Sequence, residues 1–254
     1  MRNFKLTLAY DGADFSGWQV QPGRSTVQGA LAEALGRVTG ETVLPQGSGR
    51  TDAGVHALAQ VATVALASPI PPANLVKALN DVLPPAIRLL QAEEVPLSFH
   101  ARASARAKTY RYRILSGELC PPFLVRYVYH HRGPLDESAM TAVAPLVGGE
   151  HDFTSFAAFD PERAQRMGQR DAPSNVRTLF SSTFARQGDE LIYTVRGSGF
   201  LHHMVRNLVG TFLLIGKGNL AATDIPRILE ARDRSANPAA TAPASGLYLV
   251  SVEY

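Results

Sequence analysis

The chain has 254 residues, of which 45% are hydrophobic and 19% charged, and its formal net charge is +3. This composition is typical of a globular protein that is large enough to bury a sizeable core. No uninterrupted apolar run approaches the ~20 residues that a membrane span needs, and no signal-peptide region precedes the first strand pattern. The single cysteine, Cys120, cannot form an internal disulfide, so we expect a cytoplasmic protein without membrane association.

The first half of the chain alternates between strand-like and helix-like segments. Apolar residues recur with a period of two in strands and with a spacing of three or four in helices. The pattern predicts strands at residues 4–10, 42–44, 57–66 and 86–95, and helices at residues 27–38 and 74–82. Ser25 or Thr26 is the expected N-cap of the first helix. This order, βαββαβ, is that of a ferredoxin-like unit.

The second half repeats the same kinds of element. Strands are predicted at residues 109–115, 179–185, 191–195 and 247–252, and helices at residues 136–147, 201–215 and 224–231. Residues 159–177 show no apolar period and suggest a mildly basic loop, and residues 235–245 suggest a covering loop. We therefore predict an α+β fold of two ferredoxin-like halves, residues 1–104 and 105–254, with a central cleft.

A glycine-rich stretch at residues 47–56 (GSGRTDAGVH) lies between two strand-like segments of the first half. Glycine allows positive φ and close approach of the backbone, so the stretch predicts a shaped loop that presents Arg50 and Asp52. The spacing of its glycines excludes a dinucleotide-binding fingerprint. A P-loop is also excluded, because Val55 and His56 occupy the positions of its lysine and its serine or threonine.

A basic and aromatic segment, residues 99–113, spans the boundary between the two halves. It contains no acidic residue but carries five cations: Arg102, Arg106, Lys108, Arg111 and Arg113. Cations neutralise phosphates and aromatic rings stack on unpaired bases, so the segment is a candidate RNA-binding surface. Strand alternation places Tyr110 and Tyr112 on one face and the arginines that follow them on the other. The alternative is a solvated edge strand whose tyrosines pack inward.

Two adjacent histidines, His202 and His203, are predicted at the start of the apolar helix, with Arg206 one turn later. Adjacent side chains on a helix diverge by ~100°, so the two histidines would make a poor metal-binding pair. We therefore predict no metal site, and an anion near the helix N-terminus is the more plausible ligand. A second pair, His130 and His131, suggests a strand or a surface position.

Five strings of this chain follow one another in an order that is known from one protein family. They are YDG with GWQ at residues 10–19, GRTDAGVH at 49–56, FHAR at 99–102, YRY at 110–112 and FLHHMVRN at 200–207. In this order they resemble the TruA family of tRNA pseudouridine synthases, nearly from end to end. The agreement of five strings is far more specific than any one of them.

The resemblance implies isomerisation of uridine to pseudouridine at positions 38, 39 and 40 of the tRNA anticodon arm, by a homodimer and without a cofactor. Asp52 is implied as the carboxylate beside C1′ of the ribose, where it attacks the sugar or removes the 2′ proton. Arg206 would keep Asp52 charged, and Arg50 would help to draw the nucleotide out of the stack. Tyr110 would stack on the base and take the C5 proton. Substrate contacts are expected from Arg102, Lys108, His202 and His203.

Two other classes of protein compete with this interpretation. A non-catalytic RNA-binding protein would use the same cleft and basic strand. A glycosidase or nucleoside hydrolase would need a second acidic residue as proton donor, and the string around Asp52 carries none. Three aliphatic residues near the implied site, Val55, Leu201 and Val205, are expected to keep water away from it.

Overall fold

The computed structural model describes residues 1–159 and 174–254, so most of the predicted basic loop at 159–177 lies outside the described residues. The strands are β1 Arg2–Tyr10, β2 Gln46–Gly47, β3 His56–Leu66, β4 Ile87–Val95, β5 Ala107–Ser116, β6 Tyr129–His131, β7 Gly149–Asp152, β8 Val176–Gln187, β9 Glu190–Gly197 and β10 Leu247–Glu253. The helices are α1 Val27–Thr39, α2 Pro72–Val82, α3 Glu137–Val143, α4 Met204–Gly216 and α5 Asp224–Ala231. This mixture confirms the predicted α+β class.

Contacts within the described residues divide the chain into two compact units. The first contains residues 1–108 and 248–254, and the second contains residues 109–247. The C-terminal strand, which the sequence suggested would close the second half, therefore lies in the first unit. There β10 runs parallel to β3, with Tyr248 opposite His56.

In the first unit β1 lies between β4 and β3, and β2 also pairs with β3; these three pairs are antiparallel, and β10 adds the parallel pair with β3. With α1 between β1 and β2, and α2 between β3 and β4, this is a ferredoxin-like arrangement. Capping residues define the ends of its helices. The Thr26 hydroxyl accepts a hydrogen bond from the Gly29 amide at the start of α1, and α1 stops at Gly40, whose φ of 75° is left-handed. Pro72 starts α2, where a missing N–H is tolerated.

The second unit contains strands in the order β5-β9-β8-β7, with β6 parallel to β5. β8 and β9 form the predicted antiparallel hairpin. Its core includes three rings, those of Phe184, Tyr193 and Phe212, whose centroids lie 4.9–5.6 Å apart. Phe212 belongs to α4, which is buried on nearly all sides and is therefore as apolar as the sequence indicates.

Two strand expectations require correction. The strand predicted at residues 42–44 is wrong, because pairing with β3 begins only at Gln46, after Pro45. Proline has no N–H to donate, so the ladder starts beyond it. β7 was not predicted at all. It has four residues, GEHD, and such a short polar segment lacks the alternation that identifies a strand.

Two helix expectations also change at their ends. The helix predicted at 136–147 is α3 followed by a 3-10 turn at Ala144–Val147, because Pro145 cannot continue the α-helical bonding. The helix predicted from Leu201 begins at Met204 instead, because His203 adopts a φ of 57°. Within residues 1–159 and 174–254, no helix is long and apolar enough to cross a membrane.

Candidate active site

The glycine-rich stretch forms a loop between β2 and β3, with Arg50 exposed and Asp52 partly exposed. Its backbone is tied to the segment that follows β1. The Trp18 amide donates to the Thr51 carbonyl oxygen at 3.0 Å, and the Gly54 amide donates to the Phe15 carbonyl oxygen at 3.3 Å. Within the loop, the Val55 amide donates to the Asp52 carbonyl oxygen at 3.1 Å. The loop that carries Asp52 is therefore fixed by its main chain.

Two glycines of the strings at residues 10–19 allow this close approach. A Cβ at Gly12 would overlap the carbonyl oxygen of Val55. A Cβ at Gly17 would lie 2.7 Å from the carbonyl oxygen of Thr51, and Gly17 also has a φ of 92°. Since only glycine meets these requirements, Gly12 and Gly17 allow the segment after β1 to pack against the loop that carries Asp52.

A buried polar network lies beneath the same loop. The hydroxyls of Tyr10 and Thr51 are 2.8 Å apart, and the Gln60 amide nitrogen donates to the Gly49 carbonyl oxygen at 3.0 Å and to the Tyr10 hydroxyl at 3.4 Å. The Ser48 hydroxyl donates to the Gln60 side-chain oxygen at 2.7 Å. Burial raises the pKa of Tyr10 to about 12, although its hydrogen bonds with Thr51 and Gln60 act in the opposite direction. Tyr10 therefore stays neutral.

The histidine that ends the loop string, His56, is a buried support. Its Nδ1 accepts a hydrogen bond from the Gly12 amide at 3.1 Å and lies 3.1 Å from a carboxylate oxygen of Asp11. Its ring stacks on Tyr248 of β10, with centroids 4.7 Å apart. The imidazole therefore joins the segment after β1 to the C-terminal strand.

The cations of the basic segment differ in what they contact. Arg102 is exposed on a turn, which leaves its guanidinium accessible to phosphate. The Lys108 ammonium donates to the Ser48 carbonyl oxygen at 2.6 Å, so it lies against the loop that carries Asp52. Arg113 forms a two-pronged ion pair with Glu190, at 2.6 and 2.7 Å. Of these three cations, only Arg102 is therefore a candidate for binding phosphate with an exposed side chain.

The two tyrosines of β5 are buried on the same face, as the alternation predicted. Tyr110 is 7% exposed and meets the edge of the Phe200 ring, with centroids 4.9 Å apart and planes at 79°. Tyr112 is completely buried, and its hydroxyl donates to the Pro243 carbonyl oxygen at 2.8 Å. Burial raises the pKa of Tyr112 far above its usual range. Tyr112 is thus a core residue, and Tyr110 is the better candidate for contact with substrate.

The geometry expected of the two histidines before α4 is wrong. His203 has a left-handed conformation at the N-cap of α4, and His202 precedes the helix. Their rings therefore do not diverge, and the centroids lie 4.0 Å apart. His202 is exposed, and its Nδ1–H donates to the Phe159 carbonyl oxygen at 3.0 Å.

Arg206 is anchored in the first turn of α4 by the covering segment at residues 235–245. Its Nε–H donates to the Ala242 carbonyl oxygen at 2.7 Å, and its own carbonyl oxygen accepts from the Ala242 amide at 3.2 Å. The carbonyl oxygen of Ala240 lies so close to Gly210 that a Cβ there would overlap it. The predicted covering loop is thus confirmed, and it fixes the direction of the Arg206 side chain.

The predicted site residues fall into two groups along the chain. Arg50, Asp52, Arg102 and Lys108 belong to the first unit, and Tyr110, His202, His203 and Arg206 belong to the second. The aliphatic residues expected to exclude water, Val55, Leu201 and Val205, are all buried. The sequence did not identify the supporting roles of Tyr10, Ser48 and Gln60. A signal existed, because Gln60 is a polar residue inside the predominantly apolar strand β3.

Comparison with known proteins agrees with these motifs over the length of the chain. A family model described as tRNA pseudouridine synthase matches residues 7–102 and 143–254. The chain is 54% identical to the tRNA pseudouridine synthase A of Solibacter usitatus over 254 residues, which cover both chains completely. It is 44% identical to the protein of the same name from Brevibacillus brevis, again over all of both chains. It is 43% identical to that of Limosilactobacillus fermentum, over all of this chain and 96% of the relative. This chain therefore belongs to the TruA family of tRNA pseudouridine synthases.

Proposed function

We propose that this protein isomerises uridine to pseudouridine in tRNA, at positions 38, 39 and 40 of the anticodon stem-loop. Membership of the family supports the reaction. The observation that carries the proposal for this chain is the loop around Asp52, whose neighbours Thr51 and Val55 are held by main-chain hydrogen bonds. A reacting group must be held in place before substrate arrives, and this loop is built to do so.

Asp52 is the nucleophile in this proposal. The carboxylate attacks C1′, the C1′–N1 bond breaks, and the uracil leaves as an anion that turns within the site. C5 of the uracil then attacks C1′ and displaces the carboxylate, and transfer of the C5 proton to a base together with protonation of N1 gives pseudouridine. In the alternative route, Asp52 removes the 2′ proton and a glycal forms. Both routes need the Asp52 carboxylate beside the ribose of the target nucleotide, and neither route needs an oxidant or a reductant.

Three further residues act on the same nucleotide. The exposed Arg50 enters the stack and helps to flip the target nucleotide, which costs a few kcal/mol. Tyr110, supported at its ring by Phe200, stacks on the extruded base and then accepts the C5 proton as general base. Arg206, aligned by Ala242, supplies the positive charge that keeps the nucleophile ionised while water is excluded.

The remaining contacts hold the RNA rather than the reacting base. Arg102 is exposed and binds phosphate as a point of positive charge. His202 and His203 present adjacent rings before α4 and contact the nucleotide backbone near the helix N-terminus. Lys108, by contrast, supports the loop that carries Asp52, through its hydrogen bond to the Ser48 carbonyl oxygen.

The decisive experiment replaces the nucleophile. Asp52→Asn should abolish tritium release from C5-labelled uridine in tRNA while leaving the fold and RNA binding intact. Asp189→Asn, in the exposed β8–β9 turn, is the matched control, since it makes the same change of charge away from the loop. Substantial turnover by folded Asp52→Asn protein would refute the nucleophile assignment.

Product analysis distinguishes the proposal from its rivals. Nucleosides from treated tRNA should contain pseudouridine and no free uracil, since a hydrolase releases the base and a binding protein changes nothing. Mapping the modified sites in transcripts that carry cytidine at position 38, 39 or 40 identifies the positions used.

We also propose that the protein acts as a homodimer. Size-exclusion chromatography with light scattering measures its mass directly, and a mass near 27.3 kDa at micromolar concentration would contradict a dimer.

A further inference from the structure

We propose that Gln60 is a positioning residue for the loop that carries Asp52. This inference rests on the proposed function of Asp52 and extends it to a side chain that touches neither substrate nor the reacting atoms. Gln60 belongs to β3, is completely buried, and forms four hydrogen bonds with its side chain. A buried amide in an apolar strand is destabilising unless its hydrogen bonds are made, so its partners indicate its role.

The amide of Gln60 is used to its full capacity. Its nitrogen donates to the Gly49 carbonyl oxygen at 3.0 Å and to the Tyr10 hydroxyl oxygen at 3.4 Å. Its oxygen accepts from the Ser48 hydroxyl at 2.7 Å and from the Val61 amide at 3.2 Å. The opposite orientation of the amide would place two acceptor oxygens against each other at Gly49, so the network itself determines which atom is nitrogen.

The network continues from Gln60 to Thr51 through Tyr10. The Tyr10 oxygen accepts from Gln60, and the Tyr10 hydroxyl is hydrogen-bonded to the Thr51 hydroxyl 2.8 Å away. Gln60 thus holds Gly49 directly and Thr51 through Tyr10. These two residues flank Arg50, and Thr51 is joined to Asp52 by a peptide bond. Both sides of the short segment that presents Arg50 and Asp52 therefore depend on one buried amide.

The main-chain hydrogen bonds of the loop determine the course of its backbone. The Gln60 network determines the distance between this loop and β3. An error of about 1 Å at a reacting group can lower a rate about a hundredfold. We therefore expect Gln60 to influence the rate of the chemical step and to leave the affinity for tRNA unchanged.

Gln60→Glu is the sharpest substitution, because a carboxylate has nearly the same shape and no donor. It should lower the single-turnover rate about ten- to a hundredfold and leave the tRNA dissociation constant within about twofold. A protonated carboxyl has one O–H that can donate to Gly49, so the rate relative to wild type should rise as the pH falls from 8 to 6. Tyr10→Phe, which removes one bond of the network, should give a smaller loss of about three- to tenfold.

Tyr193→Phe is the matched control. Tyr193 is also a fully buried tyrosine, and its hydroxyl forms a 2.8 Å hydrogen bond with Ser182 in the second unit. Its replacement should lower thermal stability as much as Tyr10→Phe does, with no change in the single-turnover rate. If the Gln60 and Tyr10 variants lose stability but keep the wild-type rate, as the control does, the positioning role is overturned.

Hydrogen exchange separates this proposal from the proposed function. In Gln60→Glu, amide exchange at residues 47–55 should accelerate at least about tenfold relative to Tyr193→Phe, whether or not the wild-type protein makes pseudouridine. Absence of that local acceleration overturns the role of Gln60. An inactive wild-type protein with the acceleration intact overturns only the proposed reaction.

Discussion

Lys108 offers a test of whether a cation of the basic segment binds RNA or holds the loop. The sequence predicted a substrate contact, but the ammonium donates to the carbonyl oxygen of Ser48 at 2.6 Å. Ser48 is fully buried and also belongs to the Gln60 network, so the ammonium acts on the same loop. We expect Lys108→Met to impair the chemical step and not the electrostatic attraction of tRNA.

The size of the effect follows from this one hydrogen bond. A hydrogen bond to a charged group contributes ~1.5–3 kcal/mol, and partial exposure of Lys108 reduces this to about 1 kcal/mol. Since about 1.4 kcal/mol is a factor of ten, the single-turnover rate should fall about three- to tenfold. The free energy of unfolding should fall by about 1 kcal/mol as well.

The salt dependence of binding distinguishes the two roles. A lost phosphate contact reduces the slope of log K against log salt concentration by about 0.7–0.9, whereas a lost contact to the loop leaves the slope unchanged. Arg102→Gln is the matched variant, because Arg102 is exposed and should show the reduced slope with an unchanged rate. A reduced slope in Lys108→Met together with a wild-type rate would refute the role in the loop.

Three further predictions concern pH and backbone packing. The pKa of Tyr10 is raised to about 12, so its contribution to stability, about 3 kcal/mol, is present below pH 10 and is lost as the pH rises to 12. Urea titrations should show a smaller alkaline loss of stability in Tyr10→Phe. Burial, assisted by nearby basic side chains, lowers the pKa of His131. The stability that His131 contributes above pH ~6.5 is therefore lost as the pH falls through its pKa in the folded state. This loss of stability in acid should be smaller in His131→Gln. Gly12→Ala should destabilise the protein by ~1–3 kcal/mol or more, because the new Cβ overlaps the Val55 carbonyl oxygen. Gly36→Ala, within α1, should instead stabilise the protein by ~0.5–1 kcal/mol, and thermal melts measure both changes.

Local patterns predicted the elements of this fold better than their junctions. Patterns among residues that are close in sequence predicted three features: the βαββαβ order of the first unit, the β8–β9 hairpin and the apolar helix α4. The errors lie at the ends of elements, where one backbone angle or one missing hydrogen-bond donor determines the boundary. The φ of His203 sets the start of α4, and Pro45 delays the pairing of β2.

The candidate site shows the same division between local and distant information. The strings identified Arg50 and Asp52 on a glycine-shaped loop, because glycine spacing is local information. They could not show that the Tyr10 hydroxyl and the Gln60 amide lie beneath that loop, because these groups meet only after β1 and β3 pair. Likewise, alternation placed Tyr110 and Tyr112 on one face, but only packing against Pro243 identifies Tyr112 as a core residue.

The position of β10 has a consequence for the folding of the chain during its synthesis on the ribosome. Residues 248–254 belong to the first unit but are translated after every residue of the second. The N-terminal segment is therefore synthesised before the strand that covers the flank of β3 beside His56, and Tyr248 can stack on that imidazole only after the second unit has been translated. Nascent chains that are released early would carry the complete GRTDAGVH string and still lack a finished sheet around it.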